Sequence, residues 1–270
     1  MNGLWVKQQK GFSLLELVIA MAVLAALAVV TVNVVKNQQE YSHATQNEQY
    51  MKQVKSAFMT FVKTNGFLPC PDTDGDGREN RVGTSPFACT LARGMVPYLD
   101  LGVPRADAWQ QPLFYAVNDK SDISGVLDIV NPNEAASYFN KQNAPVFGFR
   151  TPPVGAIGGR GNYRICSELT DVAIGCTSST GSLVEEFAIA VVVSFGQNGA
   201  ATWNERSTGV SAGLDAAEAE NMDNDQNFWQ AEGSQRAGRA FDDQLFWLLA
   251  DDVKYAITSS GGNLPIIPLP

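Results

Sequence analysis

The chain has 270 residues and carries 28 Asp and Glu against 19 Lys and Arg, which gives a formal net charge of −9. Such an acidic protein is a poor general binder of nucleic acid, because phosphate contacts require lysine and arginine. Its length leaves room for one membrane helix and one sizeable globular domain, or one domain with a large insertion.

The first residues combine a basic leader with an isolated carboxylate. Lys7 and Lys10 precede Gly11, which is followed by the bulky Phe12 and then, after three small or apolar residues, by Glu16. A secretory signal peptide would have a shorter apolar core and a small-residue cleavage site behind it, and this sequence has neither. The order of residues is therefore not that of a generic secretory signal.

Residues 17–35 are apolar or small except for Thr31 and Asn33. As a helix they would extend about 28 Å at roughly 1.5 Å per residue, which is close to the thickness of a bilayer core. The segment therefore predicts a membrane-spanning helix. A carboxylate such as Glu16 at the edge of this helix is costly in hydrocarbon unless a partner neutralises it, and the obvious partner is an amine.

These residues resemble the N-terminus of the type IV pilin superfamily. The resemblance implies that prepilin peptidase cuts between Gly11 and Phe12 and methylates the new N-terminus at Phe12. It also implies that Glu16, the fifth residue of the mature chain, meets the N-terminal amine of a neighbouring subunit during assembly. The alternative is an ordinary single-pass anchor in which Glu16 is incidental and reaches the membrane interface.

The helix is expected to continue beyond the membrane segment to about residue 65. Apolar residues recur there at spacings of three and four, which predicts an amphipathic face laid on a domain; they are Tyr41, Tyr50, Met51, Val54, Phe58, Phe61 and Val62. Asn65 and Gly66 predict a C-cap, and Pro69 prevents continuation. The predicted organisation is a leader at 1–11, a transmembrane and filament-core helix at 12–35, its amphipathic half at 36–66, and a periplasmic or extracellular globular domain at 67–270.

The four cysteines fall into two local pairs, Cys70 with Cys89 and Cys166 with Cys176. An exported domain meets an oxidising compartment, so both pairs are predicted to be disulfides, each contributing about 2–4 kcal/mol. Neither pair has the two-residue spacing of a zinc knuckle, and the single histidine, His43, lies on the helical stem, which argues against zinc.

The stretch after the first cysteine places carboxylates at alternating positions with glycines between them. Asp72, Asp74 and Asp76, with Glu79 or a backbone carbonyl, can converge on one calcium ion because the glycines permit a tight turn. An EF-hand loop counted from Asp72 would need a carboxylate at its twelfth position, which is Gly83. Two hypotheses follow: a calcium site, or a solvated acidic turn held by the disulfide.

A turn followed by a strand is predicted near residue 110. Residues 113–117 are β-formers, and the stretch resembles the Asp-Pro-Trp-Gly-x-Pro-x-x-Tyr segment of major pseudopilins and related minor pilins. The matching residues are Asp107, Trp109, Pro112 and Tyr115, whereas Ala108 and Gln110 depart from the pattern. A structural role is predicted for the four matching residues.

Residues 119–180 indicate an insertion or variable edge, with short candidate strands at 126–130, 146–149 and 163–166. The glycine-rich run at 155–161 has no strand before it and no helix after it, so it predicts a loop rather than a nucleotide site.

Residues 187–195 are nearly continuous β-formers, which predicts a central strand covered by the helix on one face. The expected fold is α+β and pilin-like: a long N-terminal membrane-spanning helix packed on a mainly antiparallel β-sheet, with loop insertions.

The C-terminal part is also similar to major pseudopilins, in which an acidic loop before the last strand holds calcium. The resemblance implies calcium ligands at Asn198, Asp223, Asp225 and one of Asp242 and Asp243. The alternative is that these residues cap turns and hydrate a surface loop. Residues 263–270 form an apolar, proline-broken tail, expected either as an extended strap or as a contact for a neighbour.

The sequence contains no second histidine, no Gly-x-Ser-x-Gly elbow and no phosphate loop, so the chain is predicted not to be an enzyme.

The resemblance implies a minor type IV pilin-like subunit that aids pilus assembly or surface interaction. A type II secretion pseudopilin acting in protein export and a pilus-associated adhesin are the alternatives. Implied partners are other pilins or pseudopilins, prepilin peptidase, an inner-membrane assembly platform and, before assembly, membrane lipid. The implied location is the inner membrane, with a periplasmic domain, and then a pilus, pseudopilus or the cell surface.

Overall fold

The computed structural model describes residues 14–82, 89–118, 135–149, 151, 163–167, 182–209, 216–223, 225–231, 234–236 and 239–265. Within these residues the protein has the predicted α+β class. Its helices are α1 (Leu14–Asn65), α2 (Tyr98–Leu101), α3 (Gly199–Thr208), α4 (Ala216–Met222) and α5 (Ala250–Ser259), with 3-10 turns at Ala135–Phe139 and Gly196–Asn198. Its strands are β1 (Arg93–Met95), β2 (Phe114–Val117), β3 (Tyr163–Cys166), β4 (Leu183–Ser194), β5 (Asn227–Trp229), β6 (Ser234–Arg236), β7 (Arg239–Phe241) and β8 (Gln244–Leu249).

α1 is long because its 52 residues contain neither Gly nor Pro to interrupt the backbone hydrogen bonds. It ends where predicted: Gly66 has φ +79 and its N–H donates to the Val62 carbonyl at 2.8 Å. Only glycine adopts this left-handed conformation at low cost, which makes it a favourable helix stop. The chain divides into two compact units, Met1–Thr45 and Gln46–Pro270, and α1 runs through both.

The first unit contains the N-terminal part of α1, and its apolar side chains face outward. Leu14, Leu24 and Val34 are 81%, 65% and 59% exposed. Among the described residues, α1 is the helix long and apolar enough to cross a membrane. A helix that is apolar on every side is typical of a membrane span or of a helix buried in an assembly.

The second unit is built on a six-stranded sheet with β4 at its centre. Strands β2, β3 and β8 pair antiparallel with β4, and β1 pairs antiparallel with β2. Strand β5 pairs with β3 in parallel, and β6 and β7 form a separate antiparallel pair. The sheet is therefore mainly antiparallel, and the strands predicted at 113–117, 163–166 and 187–195 are confirmed within a few residues at each end.

Helices cover both faces of this sheet. On one face, Met51, Val54 and Phe58 of α1 pack with Val253 and Ile257 of α5 against the sheet. On the other face, Trp203 of α3 and Met222 of α4 pack against Phe114, Val191 and Val193. Residues 188–194 are fully buried in consequence. The sequence predicted cover on one face alone; the second cover explains why the apolar run of β4 is continuous rather than alternating.

The strand predicted at 146–149 is wrong. Phe147 is buried there, but the chain turns immediately after it, because Gly148 N–H donates to Thr151 Oγ1 at 2.8 Å and Thr151 N–H donates back to the Gly148 carbonyl at 3.1 Å. Phe147 instead packs on the ring of Tyr138, with ring centres 4.6 Å apart. Residues 126–130 and 155–161 lie outside the described part of the chain.

Candidate functional site

The predicted acidic turn after Cys70 is organised by the carboxylate of Asp72, which is fully buried. Asp72 Oδ1 accepts hydrogen bonds from the N–H groups of Gly75 at 2.7 Å and Asp74 at 3.2 Å, and Oδ2 accepts from Gly77 N–H at 2.8 Å. Its own backbone pairs with Met95 of β1. Gly75 and Gly77 adopt φ of +83 and +89, so the glycines make the turn that was expected of them.

The structure brings Asp72, Asp74 and Asp76 together, with one oxygen of each lying within 4.8 Å of the others. Asp74 and Asp76 are exposed, and their carboxylates accept hydrogen bonds from the Asn80 side chain at 3.2 Å and from Arg78 N–H at 2.8 Å. The convergence therefore satisfies the calcium hypothesis and the acidic-turn hypothesis equally, and calcium at this turn stays a prediction.

Glu79, the fourth candidate ligand of the acidic turn, forms hydrogen bonds and ion pairs with other protein groups. Its Oε2 accepts from Cys70 N–H at 3.1 Å and from Arg81 Nη2 at 2.8 Å, and its Oε1 accepts from Lys141 Nζ at 3.0 Å. Burial opposes ionisation of Glu79, but the hydrogen bond and charge of Arg81, with help from Cys70 and Lys141, outweigh it and lower the pKa of the carboxyl below its ordinary value. Glu79 thus connects the acidic turn to the segment around residue 141 through its ion pair with Lys141.

The disulfide between Cys70 and Cys89 is present and buried, as the sequence predicted. It holds the start of the acidic turn against the strand region that follows. Cys166 is buried at the end of β3. Its predicted partner Cys176 lies outside the described residues, so that pairing stays a prediction.

A second acidic cluster lies where α4 ends and turns into β5. Glu220, Asp223 and Asp225 each place one carboxylate oxygen within 4.8 Å of the others. Asp223 accepts from Asp225 N–H at 2.8 Å, and Asp225 accepts from Asn227 N–H and Nδ2 at 2.7 and 2.8 Å. Glu220 is only 2% exposed, and its Oε1 has no hydrogen-bond partner among the described residues.

Electrostatics set Glu220 apart from its neighbours. Burial, followed by the charges of Asp225 and Asp223, raises the pKa of Glu220 to about 7. The carboxyl of Asp223 also has a raised pKa, first because of burial. The three side chains offer oxygen donors alone, which is the donor type that hard cations prefer.

Two arginines approach the same turn from the sheet and from α3. Arg93 donates to the backbone carbonyls of Asp223, at 3.3 Å, and Asp225, and its guanidinium lies 5.8 Å from the ring centre of Tyr163. Arg206 donates to the Met222 carbonyl and stacks 4.4 Å from the ring centre of Phe114. These arginines tie the turn to the domain through its carbonyl groups.

The remaining members of the predicted C-terminal calcium set make contacts of their own, and calcium ligation by Asn198, Asp223, Asp225 and one of Asp242 and Asp243 stays a prediction. Asp242 Oδ2 accepts from Gln197 N–H at 2.7 Å, and a Cβ at Gly196 would lie 2.5 Å from the Asp242 side chain, so Asp242 holds the turn after β4. Asn198 belongs to that turn and accepts from Thr202 Oγ1 through its carbonyl. Asp243 Oδ2 accepts from Asn221 Nδ2 at 2.8 Å. The structure thus groups Asp223 and Asp225 with Glu220.

At the N-terminal end, Glu16 lies within α1, two residues after Leu14, the first residue that the structure describes. Gly11 and Phe12 lie outside the described residues, so the cleavage and methylation positions stay predictions. The exposed apolar surface of α1 begins directly beside Glu16.

Residues 6–32 match the model of the prokaryotic N-terminal methylation motif. The chain carries this motif. The match includes Gly11, Phe12, Glu16 and most of the apolar segment, and it is consistent with type IV pilin-like proteins, as the sequence indicated. No curated protein and no solved structure matches the chain.

The methylation motif and the long apolar helix behind it fit a membrane-anchored protein. Proteins with this motif are typically non-enzymatic structural subunits that are processed by prepilin peptidase and assemble with pilins or pseudopilins. The motif covers the membrane segment and stops there, so the function of the globular domain has to be argued from its own residues.

Sequence reasoning missed Glu220, Arg93 and Arg206. The acidic run from residue 220 to 225 was visible, but Glu220 joins the cluster only because α4 turns it inward. The two arginines come from β1 and α3, which are far from the cluster in sequence and close in space.

Proposed function

We propose that this chain is a minor type IV pilin-like subunit that enters a filament through its N-terminal helix. Prepilin peptidase cuts between Gly11 and Phe12 and methylates Phe12, and the protein waits in the inner membrane before assembly. The observation that carries this proposal is the methylation motif at residues 6–32, continuous with an α1 whose apolar side chains face outward. The acidic domain beyond it aids assembly or presents a surface.

The physical basis of assembly is a helix that is stable in two environments. Lipid tails are as apolar as the side chains of α1, so burial alone favours neither lipid nor a filament core, and close packing with polar pairing has to decide. Glu16 supplies the polar pairing by meeting the amine of Phe12 in a neighbouring subunit. Removing one member of a charge pair out of water is costly, because the other charge is left without compensation.

The role is structural rather than catalytic, and the partners are other pilins and an inner-membrane assembly platform. A type II secretion pseudopilin would use the same N-terminal segment, so the two functions are separated by what fails when the protein is deleted. Loss of pili with normal export supports the pilus subunit, whereas loss of export with normal pili supports the pseudopilin. Loss of attachment alone supports the adhesin.

The first test is intact-mass analysis of the protein purified from cells with and without prepilin peptidase. The expected product is a chain that begins at methylated Phe12, formed only when the peptidase is present. An uncut chain in both strains would contradict the proposal and leave a plain membrane anchor.

A further inference from the structure

Strand β8 has an outer edge whose backbone groups point away from β4. Asn118 N–H donates to the Ile189 carbonyl at 2.8 Å, so the odd-numbered residues of β4 from 189 to 193 face β2. The even-numbered residues 190, 192 and 194 therefore face β8, where they pair with residues 248, 246 and 244. Because the hydrogen-bonding direction alternates along a strand, the N–H and C=O groups of Leu245 and Trp247 face away from β4.

The described part of the chain leaves this outer edge of β8 open. No backbone hydrogen bond joins the outward groups of Leu245 and Trp247 to another described residue. The strand, Gln244–Leu249, contains no charged residue and no proline. Apolar edge strands attract other chains, and proteins normally protect them with charges, prolines or a covering segment. We therefore expect another extended segment to cover this edge.

A cavity of about 300 Å³ lies along the same edge, between residues 48–55 of α1 and the start of β8. Met51 and Phe246 supply apolar side chains to its wall. Phe246 lies on the α1 face of the sheet, where its ring centre is 6.3 Å from that of Phe58. On the opposite face, the partly buried Leu245 and Trp247 pack against the second core cluster. A strand added here would thus meet apolar side chains on both faces.

The five residues that follow Pro265 have the pattern of such an added strand. They read Ile-Ile-Pro-Leu-Pro from 266 to 270 and lie outside the described residues. Proline has no N–H, so Ile267 and Leu269 can both donate to a neighbouring strand when Pro268 and Pro270 point away from it. In the opposite register Ile266 alone would donate. The segment therefore offers one edge that can pair and one edge that prolines block.

We propose that residues 266–270 pair as an added strand with the outer edge of β8 in the same chain. Side chains opposite each other on paired strands share a face, so Ile267 and Leu269 lie beside Leu245 and Trp247. The residues between them lie on the α1 face, where the cavity opens. The blocked edge of the segment points outward and stops further strands from adding.

The position of Leu264 favours the chain's own tail over the tail of a second copy. Leu264 packs against the core cluster of the α1 face, the face on which the cavity opens. Five extended residues reach about 16 Å beyond Pro265. A segment already held at that face has a high effective concentration at the edge of its own β8.

The test is amide hydrogen exchange of the full-length, ¹⁵N-labelled protein in detergent micelles. The Leu245 and Trp247 amides are expected to exchange about tenfold or more slowly in wild type than in Ile267→Pro, which removes an N–H that faces β8. Ile266→Pro is the matched control, because the same substitution removes an N–H that points outward, and it should keep the protection. The Phe246 amide, which faces β4, shows that each variant is folded.

A mixing experiment distinguishes the chain's own tail from that of a second copy. An excess of unlabelled wild-type protein, added to labelled Ile267→Pro, is expected to leave its Leu245 and Trp247 amides unprotected. Protection restored by the unlabelled protein would place the tail of a second copy on β8 and overturn the proposal. Fast exchange of both amides in wild type, or equal exchange in the two proline variants, would also overturn it.

The inference is independent of the proposed subunit role. Processing at Phe12 can succeed while the tail leaves β8 uncovered, and the reverse.

Discussion

At the scale of single residues, Asp107 organises the turn before β2. Its Oδ1 accepts from the N–H groups of Trp109 at 2.9 Å and Gln111 at 2.8 Å, and its Oδ2 accepts from Ser194 Oγ at 2.6 Å. Burial raises the pKa of Asp107, although these hydrogen bonds act against the rise. Tyr115, in the strand that follows, donates to the Pro69 carbonyl at 3.0 Å. The structural role predicted for these residues is therefore supported by their contacts.

Within this turn Gln110 has φ +65, although it is not glycine. We expect Gln110→Gly to relieve a left-handed strain of about 1–2 kcal/mol, offset by the about 0.5–1 kcal/mol that glycine loses in chain entropy. The net result is a protein at least as stable as wild type, whereas Gln110→Val should lose about 1 kcal/mol or more, because β-branched residues fit this conformation poorly. Urea unfolding of the three proteins measures the order.

The matched control is Gln142→Val, at an exposed glutamine without positive φ, which should change stability by less than about 0.5 kcal/mol. Equal effects of valine at positions 110 and 142 would contradict the strain argument.

At the scale of elements, the acidic turn is held in place by a small ionic network. Glu79, Arg81 and Lys141 join the turn to the segment around residue 141, and Arg81 also donates to the Phe139 carbonyl at 2.8 Å and lies over the ring of Phe67. The Glu79 and Arg81 side chains are only 11% and 9% exposed, so this pair is screened little by water. The exposed pair of Lys52 and Glu48 on α1 is screened far more.

Glu79→Gln is expected to lower the free energy of unfolding at pH 7 by about 2–3 kcal/mol, because it leaves buried Arg81 without its carboxylate. The folded-state pKa of Glu79 lies below its ordinary value of 4.5. Its contribution is therefore complete above that value and is lost as the pH falls through the folded pKa. Urea unfolding from pH 7 to pH 3 should show the difference between wild type and variant shrinking toward acid.

The matched control for this network is Glu48→Gln, whose loss should stay below about 0.5 kcal/mol. A constant difference between wild type and Glu79→Gln at every pH would mean that the stabilisation does not come from the ionised carboxylate.

At the scale of the whole molecule, the two units of the chain differ in whether their apolar side chains are exposed or buried. In the first unit the apolar side chains of α1 are exposed, which suits lipid or neighbouring helices. In the second unit the apolar residues form buried clusters on both faces of the sheet. The proposed function assigns assembly to the first unit and the exposed surface of the subunit to the second.

Glu16→Ala is expected to leave membrane insertion intact and to reduce incorporation into filaments about tenfold or more, because the neighbour's amine loses its partner at a cost of a few kcal/mol. Immunoblots of membrane and sheared-filament fractions measure both quantities. Glu40→Ala, at another acidic position of α1, is the matched control and should assemble normally. Equal incorporation of wild type and Glu16→Ala would remove the role proposed for this carboxylate.

Much of the fold was predictable where local patterns carry the information. The length of α1, its stop at Gly66 and the central strand β4 follow from periodicity and glycine conformation, which depend on neighbours in sequence. The strand at 146–149 was mispredicted because the apolar Phe147 resembles a strand residue. In the structure its side chain is buried by packing on Tyr138, a contact that local propensity does not encode. Helices α3 and α4 were missed because their short sequences have weak periodicity and gain stability by covering the sheet.

The sequence by itself determined the methylation motif, the membrane-length helix and the convergence of Asp72, Asp74 and Asp76, because each of these features depends on residues that are close to one another in sequence. Tertiary structure alone decided which carboxylates meet near β5. It placed Glu220 with Asp223 and Asp225, and it assigned Asp242 to Gln197. The reason is physical: a side chain's electrostatic partners are its neighbours in space, and those neighbours exist only after α4, β1 and β5 have packed.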